Sequence, residues 1–214
     1  MTYGLPKPAA SEAFTTVAVN PPEVAVWYHV YCTKEHPNRA DSFSEGWGNT
    51  RFSPIRREND SPVHTYYAAS TVECAYMESV LHDIPLSPPG IFDVDELQHF
   101  HLAQFTLHQP LTCVSFHTPY LPALQDITRA QLIDSLPACY PETRAWAQAA
   151  YLQRPDAQAI AYGSRRDDAA RCLMLFKHRL PDPPFTIIKD ERLAHSPRRE
   201  EILALIRRLR IREI

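Results

Sequence analysis

Glycine is scarce in this chain: five residues of 214, against twenty prolines. No G-x-G-x-x-G and no G-K-[ST] occurs. Both a Rossmann dinucleotide turn and a P-loop need glycine amides close against phosphate oxygens, so both are excluded. Few glycines also leave few flexible hinges, while the prolines stiffen loops and mark boundaries. No apolar run approaches 18 residues, which argues against a membrane-spanning helix. The opening "MTYGLPKPAASEAF" lacks a basic start followed by an apolar stretch, so it does not read as a Sec-type signal. Twenty-two Lys and Arg against 25 Asp and Glu give a net charge of −3. No basic field is available to hold a nucleic-acid backbone, so direct nucleic-acid binding is not the expected task. The five cysteines (32, 74, 113, 139 and 172) are odd in number and show no C-x-x-C spacing. They read as reduced thiols of a cytoplasmic protein rather than a disulfide framework. No metal site is expected either: the ten histidines are scattered, and a pair such as His99 and His101 has no matching second pair.

What is present is ordinary globular composition, 44% apolar and 22% charged, enough for one substantial core. Residues 1–22 are rich in Pro and Ala, and read as a flexible or surface-wrapped extension. "VAVWYHVY" (24–31) and "TYYAA" (65–69) are strand-like, with a polar loop and an irregular charged stretch between them. Ser70 and Glu73 have capping-box spacing, which predicts a helix over 71–82 that stops at Asp83-Ile84-Pro85. Two strands are expected around Gln109-Pro110, then helices from about Thr128 and over 141–153. Three more strands follow, at 159–164, 172–178 and 185–190. A helix over 197–214 carries Ile202, Leu205, Ile206 and Leu209 as one apolar stripe. The order predicts an α+β fold: a single domain over 23–214, with a mixed or antiparallel β core flanked by helices.

One residue does not fit its surroundings. In the 71–82 helix Glu78 has Cys74, Ala75, Leu81 and His82 as neighbours, and the other side carries Val72, Tyr76 and Val80. A carboxylate there is costly unless it is paired or lines a cavity. It reads either as half of a structural ion pair or as a working group. Arg51 in "NTRFSP" and Ser164 with Arg165 in "AYGSRR" are further candidates, because sites are commonly built on such loops. Each also has a plain reading, a surface arginine and a turn serine.

Taken together these segments resemble the RES domain family: "TRFSP" (50–54), "YYAA" (66–69), "STVECAYME" (70–78) and "AYGSRRDDAARCLMLF" (161–176), in that order. Ser53 departs from the family's usual Asn, and "IRRENDSPVH" lengthens the link between Arg51 and Tyr67. His29 in "WYHV" stands where the family commonly has an arginine. That arrangement is similar to the first-strand His of diphtheria-toxin-like ADP-ribosylating enzymes, whose fold RES proteins resemble; a core histidine is the other reading. The resemblance implies an ADP-ribosyltransferase-like fold and a toxin that degrades NAD. NAD is then a substrate and no cofactor is needed, with inorganic phosphate as an optional co-substrate.

Within that resemblance Glu78 would stabilise the oxocarbenium-like sugar as the nicotinamide–ribose bond breaks, by analogy with glycoside hydrolysis. Tyr67 would stack on nicotinamide and Arg51 would grip the pyrophosphate. Ser164 would bond ribose or phosphate, and His29 would contact a ribose. Arg165 and Arg166 would help seat a phosphate acceptor, or are exposed turn arginines. Water, phosphate or a protein side chain could accept the ADP-ribosyl group, so a glycohydrolase, a phosphorylase and a mono-ADP-ribosyltransferase all remain open. So does an inactive NAD-binding or interaction module. The resemblance further implies a separate Xre-like helix-turn-helix antitoxin that blocks the NAD cleft, and self-association.

Overall fold

The computed structural model describes residues 4–21 and 23–214. Within them the elements run β1 (Thr16–Val19), β2 (Trp27–Cys32), β3 (Thr65–Ala69), α1 (Val72–Met77), β4 (Ile91–Phe92), β5 (Phe100–Leu107), β6 (Leu111–Ser115), α2 (Arg129–Leu132), α3 (Tyr140–Gln153), β7 (Ala159–Gly163), β8 (Arg171–Phe176), β9 (Phe185–Arg192), α4 (Arg198–Arg208) and β10 (Arg212–Glu213). Eight strands form one curled sheet in the order β1-β6-β7-β8-β3-β2-β5-β9. The β6–β7 pair is parallel and the other neighbours are antiparallel. The fold is therefore α+β with a mixed sheet.

The centre of the sheet is covered on both faces, which is why "CLMLF" is apolar without a break. In β8, Cys172, Met174 and Phe176 face the helix-covered core with Phe52, Trp146 and Ile202. Leu173 and Leu175 face a second core with Tyr66, Phe105 and Phe185, enclosed by the curl of the sheet itself.

The leading arm joins this body. β1 pairs antiparallel with β6, from Thr16 opposite Val114 to Val19 opposite Leu111. Phe14 is buried, with its ring 6.2 Å from Trp146 edge-on and 6.3 Å from Phe116. The Trp146 indole N–H donates to the Pro6 carbonyl at 2.8 Å. The expected extension over 1–22 thus supplies an edge strand and a core aromatic; residues 1–3 and 22 lie outside the described residues.

Two helix expectations are corrected. The C-terminal helix ends at Arg208, and the chain then makes β10, which pairs in parallel with β4. The expected 71–82 helix ends at Met77, with Glu78 as its C-cap. The Ser79 hydroxyl donates to the Ala75 carbonyl, occupying the acceptor that the Ser79 amide would use in a continuing helix. That amide turns to Tyr76 O at 3.4 Å, and the chain continues in turns. The capping box also fails. Thr71 is the N-cap, its hydroxyl accepting from the Cys74 amide at 3.1 Å. Ser70 instead accepts from the Arg171 amide at 2.9 Å, and Glu73 pairs with Arg208.

If the arm is part of the core, Phe14→Ala should lower unfolding free energy by about 3 kcal/mol, as for other aromatic truncations in cores. A urea unfolding midpoint unchanged from the parent would show that the arm only rests on the surface.

Candidate active site

The sheet opens between β2 and β3. Their ladder is one pair long, Tyr28 opposite Ala69. Beyond it the His29 ring reaches the Tyr67 carbonyl at 2.7 Å. A carbonyl only accepts, so Nδ1 carries the proton and Nε2 keeps a lone pair. Burial pushes the His29 pKa down to about 4, partly opposed by that hydrogen bond, so the ring is neutral at ordinary pH.

The splayed strands form one wall of a cavity of about 500 Å³, and Glu78, Arg51, Tyr67 and His29 all line it. Four positions far apart in the chain thus meet at one cleft. The loop after β2 brings Arg51, the middle of β3 brings Tyr67, the C-terminus of α1 brings Glu78, and β2 brings His29. The early end of α1 matters here: it places Glu78 at the helix terminus instead of among the core residues Cys74, Ala75, Tyr76 and Met77.

Glu78 forms no ion pair among the described residues. One oxygen, Oε1, accepts from the Ser164 hydroxyl and from the Arg165 amide at 3.1 Å. Oε2 has no hydrogen-bond partner among the described residues, on a side chain that lines the cavity. The carboxylate is thus oriented by a hydroxyl and an amide, without a salt-bridge partner among the described residues.

Ser164 itself does not line the cavity. It is 0% exposed, just after the end of β7. Its hydroxyl donates to Glu78 and accepts from the Arg166 and Asp167 amides, each at 2.9 Å. One donor and two lone pairs are a hydroxyl's full capacity, so the expected contact with ribose or phosphate is replaced by an orienting role. Its carbonyl accepts from Arg129 at 2.6 Å. The preceding Gly163 permits that approach, because a Cβ there would lie 2.9 Å from the same guanidinium.

Arg51 is buried rather than a surface residue. Its Nη1 donates to the Ser135 carbonyl and hydroxyl at 3.0 and 2.8 Å, and its guanidinium lies 5.2 Å from the Tyr140 ring centre. Its Nη2 is buried with no partner among the described residues. An unmade hydrogen bond of this kind is costly, and an anionic oxygen in the cleft would satisfy it. The Tyr67 hydroxyl meets Thr50 Oγ1 at 2.8 Å, and burial raises its pKa, so the phenol stays protonated.

Arg166 is half-buried and committed to backbone carbonyls, whereas Arg165 is exposed, as the turn-arginine reading expects. Arg166 donates Nη1 to the His82 carbonyl at 3.0 Å and Nη2 to the Ile84 carbonyl at 2.8 Å. Arg165 reaches Ser135 O at 3.4 Å. Sequence reasoning missed Thr50, Ser135, Tyr140 and His82. Thr50 sits beside Arg51 in "NTRFSP" and His82 lies four residues beyond Glu78, and these were the available signals; Tyr140 reaches the cleft, and Ser135 reaches Arg51, only through tertiary packing. Among the described residues, no group of three or more His, Cys, Asp or Glu side chains is placed to hold a metal.

The fold is an α+β domain with a splayed central sheet, and its cleft is lined by Glu78 and Arg51. The RES domain model matches residues 26–195, and the chain belongs to that family. Its fold is similar to that in the crystal structure of the M. tuberculosis MbcT–MbcA toxin–antitoxin complex. The TM-score is 0.57 at 11% identity, over 86% of this chain and 88% of that one. No curated protein matches.

The His29 environment makes a test by pH. A folded-state pKa below the free value of about 6.5 gives a contribution that is complete above pH 6.5. It is lost as the pH falls from there through about 4, because only the unfolded chain takes up the proton. His29→Asn should therefore flatten the fall in urea midpoint over that window; an unchanged slope would contradict a neutral His29.

Proposed function

We propose that this protein is a toxin that degrades NAD by breaking the nicotinamide–ribose bond. The observation that carries the reading is the Glu78 carboxylate, fixed through one oxygen and open through the other, in the cleft that Arg51, Tyr67 and His29 also line. The leaving nicotinamide departs as a neutral pyridine, and positive charge grows on the ribose. A carboxylate held against that sugar without a salt-bridge partner is worth most in the transition state. Tyr67, a protonated phenol on an apolar wall, would stack on the nicotinamide ring. The unsatisfied Nη2 of Arg51 would meet a pyrophosphate oxygen, and the lone pair of His29 Nε2 would accept from a ribose hydroxyl.

The toxin–antitoxin neighbour supports a separate antitoxin as partner; the proposal makes it a helix-turn-helix protein that occludes the cleft. The free cysteines fit a reducing cytoplasm.

Glu78→Gln tests the reading. The amide oxygen can still accept from Ser164 and Arg165, so the local fold should hold while the charge is lost. Nicotinamide released from NAD, with and without phosphate, should fall by about a thousandfold. Turnover near the parent's would exclude the role given to Glu78. Arg51→Ala should chiefly raise KM for NAD, and an unchanged KM would remove Arg51 from pyrophosphate binding.

A further inference from the structure

The ADP-ribosyl acceptor needs its own chemistry, and the cleft holds a histidine to which no role has been given. His82 lines the same cavity as Glu78. Its Nδ1 lies 2.8 Å from Asp83 Oδ1, and its Nε2 lies 3.4 Å from the Tyr140 hydroxyl. With the Nδ1 proton donated to the carboxylate, Nε2 carries a lone pair. A contact of 3.4 Å engages that lone pair weakly and leaves it available to a water.

The backbone at His82 is held in place. Arg166 clamps the carbonyls of His82 and Ile84. The Arg166 amide is held by Ser164 Oγ, and the same oxygen donates to Glu78. A chain of hydrogen bonds through Ser164 and Arg166 therefore ties the backbone at His82 to the loop that holds Glu78. The His82 side chain lines the open cavity and is 25% exposed, which leaves Nε2 a route to release its proton to solvent through the cleft.

Resting on the NAD-cleaving reading, we infer that His82 is the base that activates water as the ADP-ribosyl acceptor. The C–N bond breaks with its electron pair leaving on nicotinamide. The water oxygen bonds to the anomeric carbon, and its proton passes to His82 Nε2 and then to solvent. NAD and water thus give nicotinamide, ADP-ribose and one proton. Asp83 is a positioning residue that holds the tautomer.

The test measures nicotinamide release by purified full-length protein in phosphate-free buffer. His82→Gln should lower turnover about a hundredfold, the ordinary range for a lost general base. His82→Ala should fall similarly and regain activity with added imidazole, a rescue that a merely structural role would not give. Three results would overturn the inference. The first is parent-like turnover by His82→Gln. The second is loss in His82→Ala that imidazole does not restore although NAD still binds. The third is a parent enzyme that releases nicotinamide only when phosphate is supplied, since an anionic nucleophile brings no proton that must be removed. That third result would leave NAD cleavage itself intact, whereas a parent inactive with and without phosphate would overturn the cleavage reading instead.

Discussion

The hydrogen bond from the Ser164 hydroxyl to Glu78 is the contact on which the site depends. A fully buried hydroxyl joins the loop after β7 to the C-cap of α1, and accepts two amides of its own loop. It orients the carboxylate and satisfies two amides that would otherwise be costly to bury. A positive partner would hold Glu78 more strongly, but it would also cancel the charge that a developing cation in the cleft needs. Hydrogen bonds from a hydroxyl and an amide orient it and leave the charge in place.

The same economy shows elsewhere in the cleft. The helix that carries Glu78 is cut short by Ser79, whose side chain takes a backbone acceptor from the ladder. The sheet is cut short between β2 and β3, where the His29 ring occupies the Tyr67 carbonyl. Both interruptions open space next to Glu78 and leave their backbone groups satisfied. The surrounding body supplies rigidity. The sheet has cores on both faces, and the arm is stitched along β6 with Phe14 against Trp146.

Much of this was legible in the residues. Strands such as "TYYAA" and "CLMLF" carry their own β-branched, aromatic or unbroken apolar signal, and α3 and α4 begin where Pro141 and Pro197 suggested. Glu78 stood out because its neighbours are apolar, which is a local property. Arg51, Tyr67 and His29 came from the order of short motifs, and the structure brings all of them to one cleft. Long-range satisfaction was not legible. "GSRR" reads as a turn whether Ser164 faces a ligand or spends its hydroxyl on Glu78. Ser70 and Thr71 are both plausible caps, and only the Arg171 amide decides between them. Thr16–Val19 has strand-like residues, but its partner lies almost a hundred residues away, and Pro-rich surroundings masked it.

The most direct measurement is a crystal structure of the Glu78→Gln protein soaked with NAD. The nicotinamide ribose should lie against the residue-78 side chain, with the pyrophosphate on Arg51 and the nicotinamide ring on Tyr67. NAD bound elsewhere, or bound with its ribose turned away from position 78, would contradict the assignment of this carboxylate as the reacting centre.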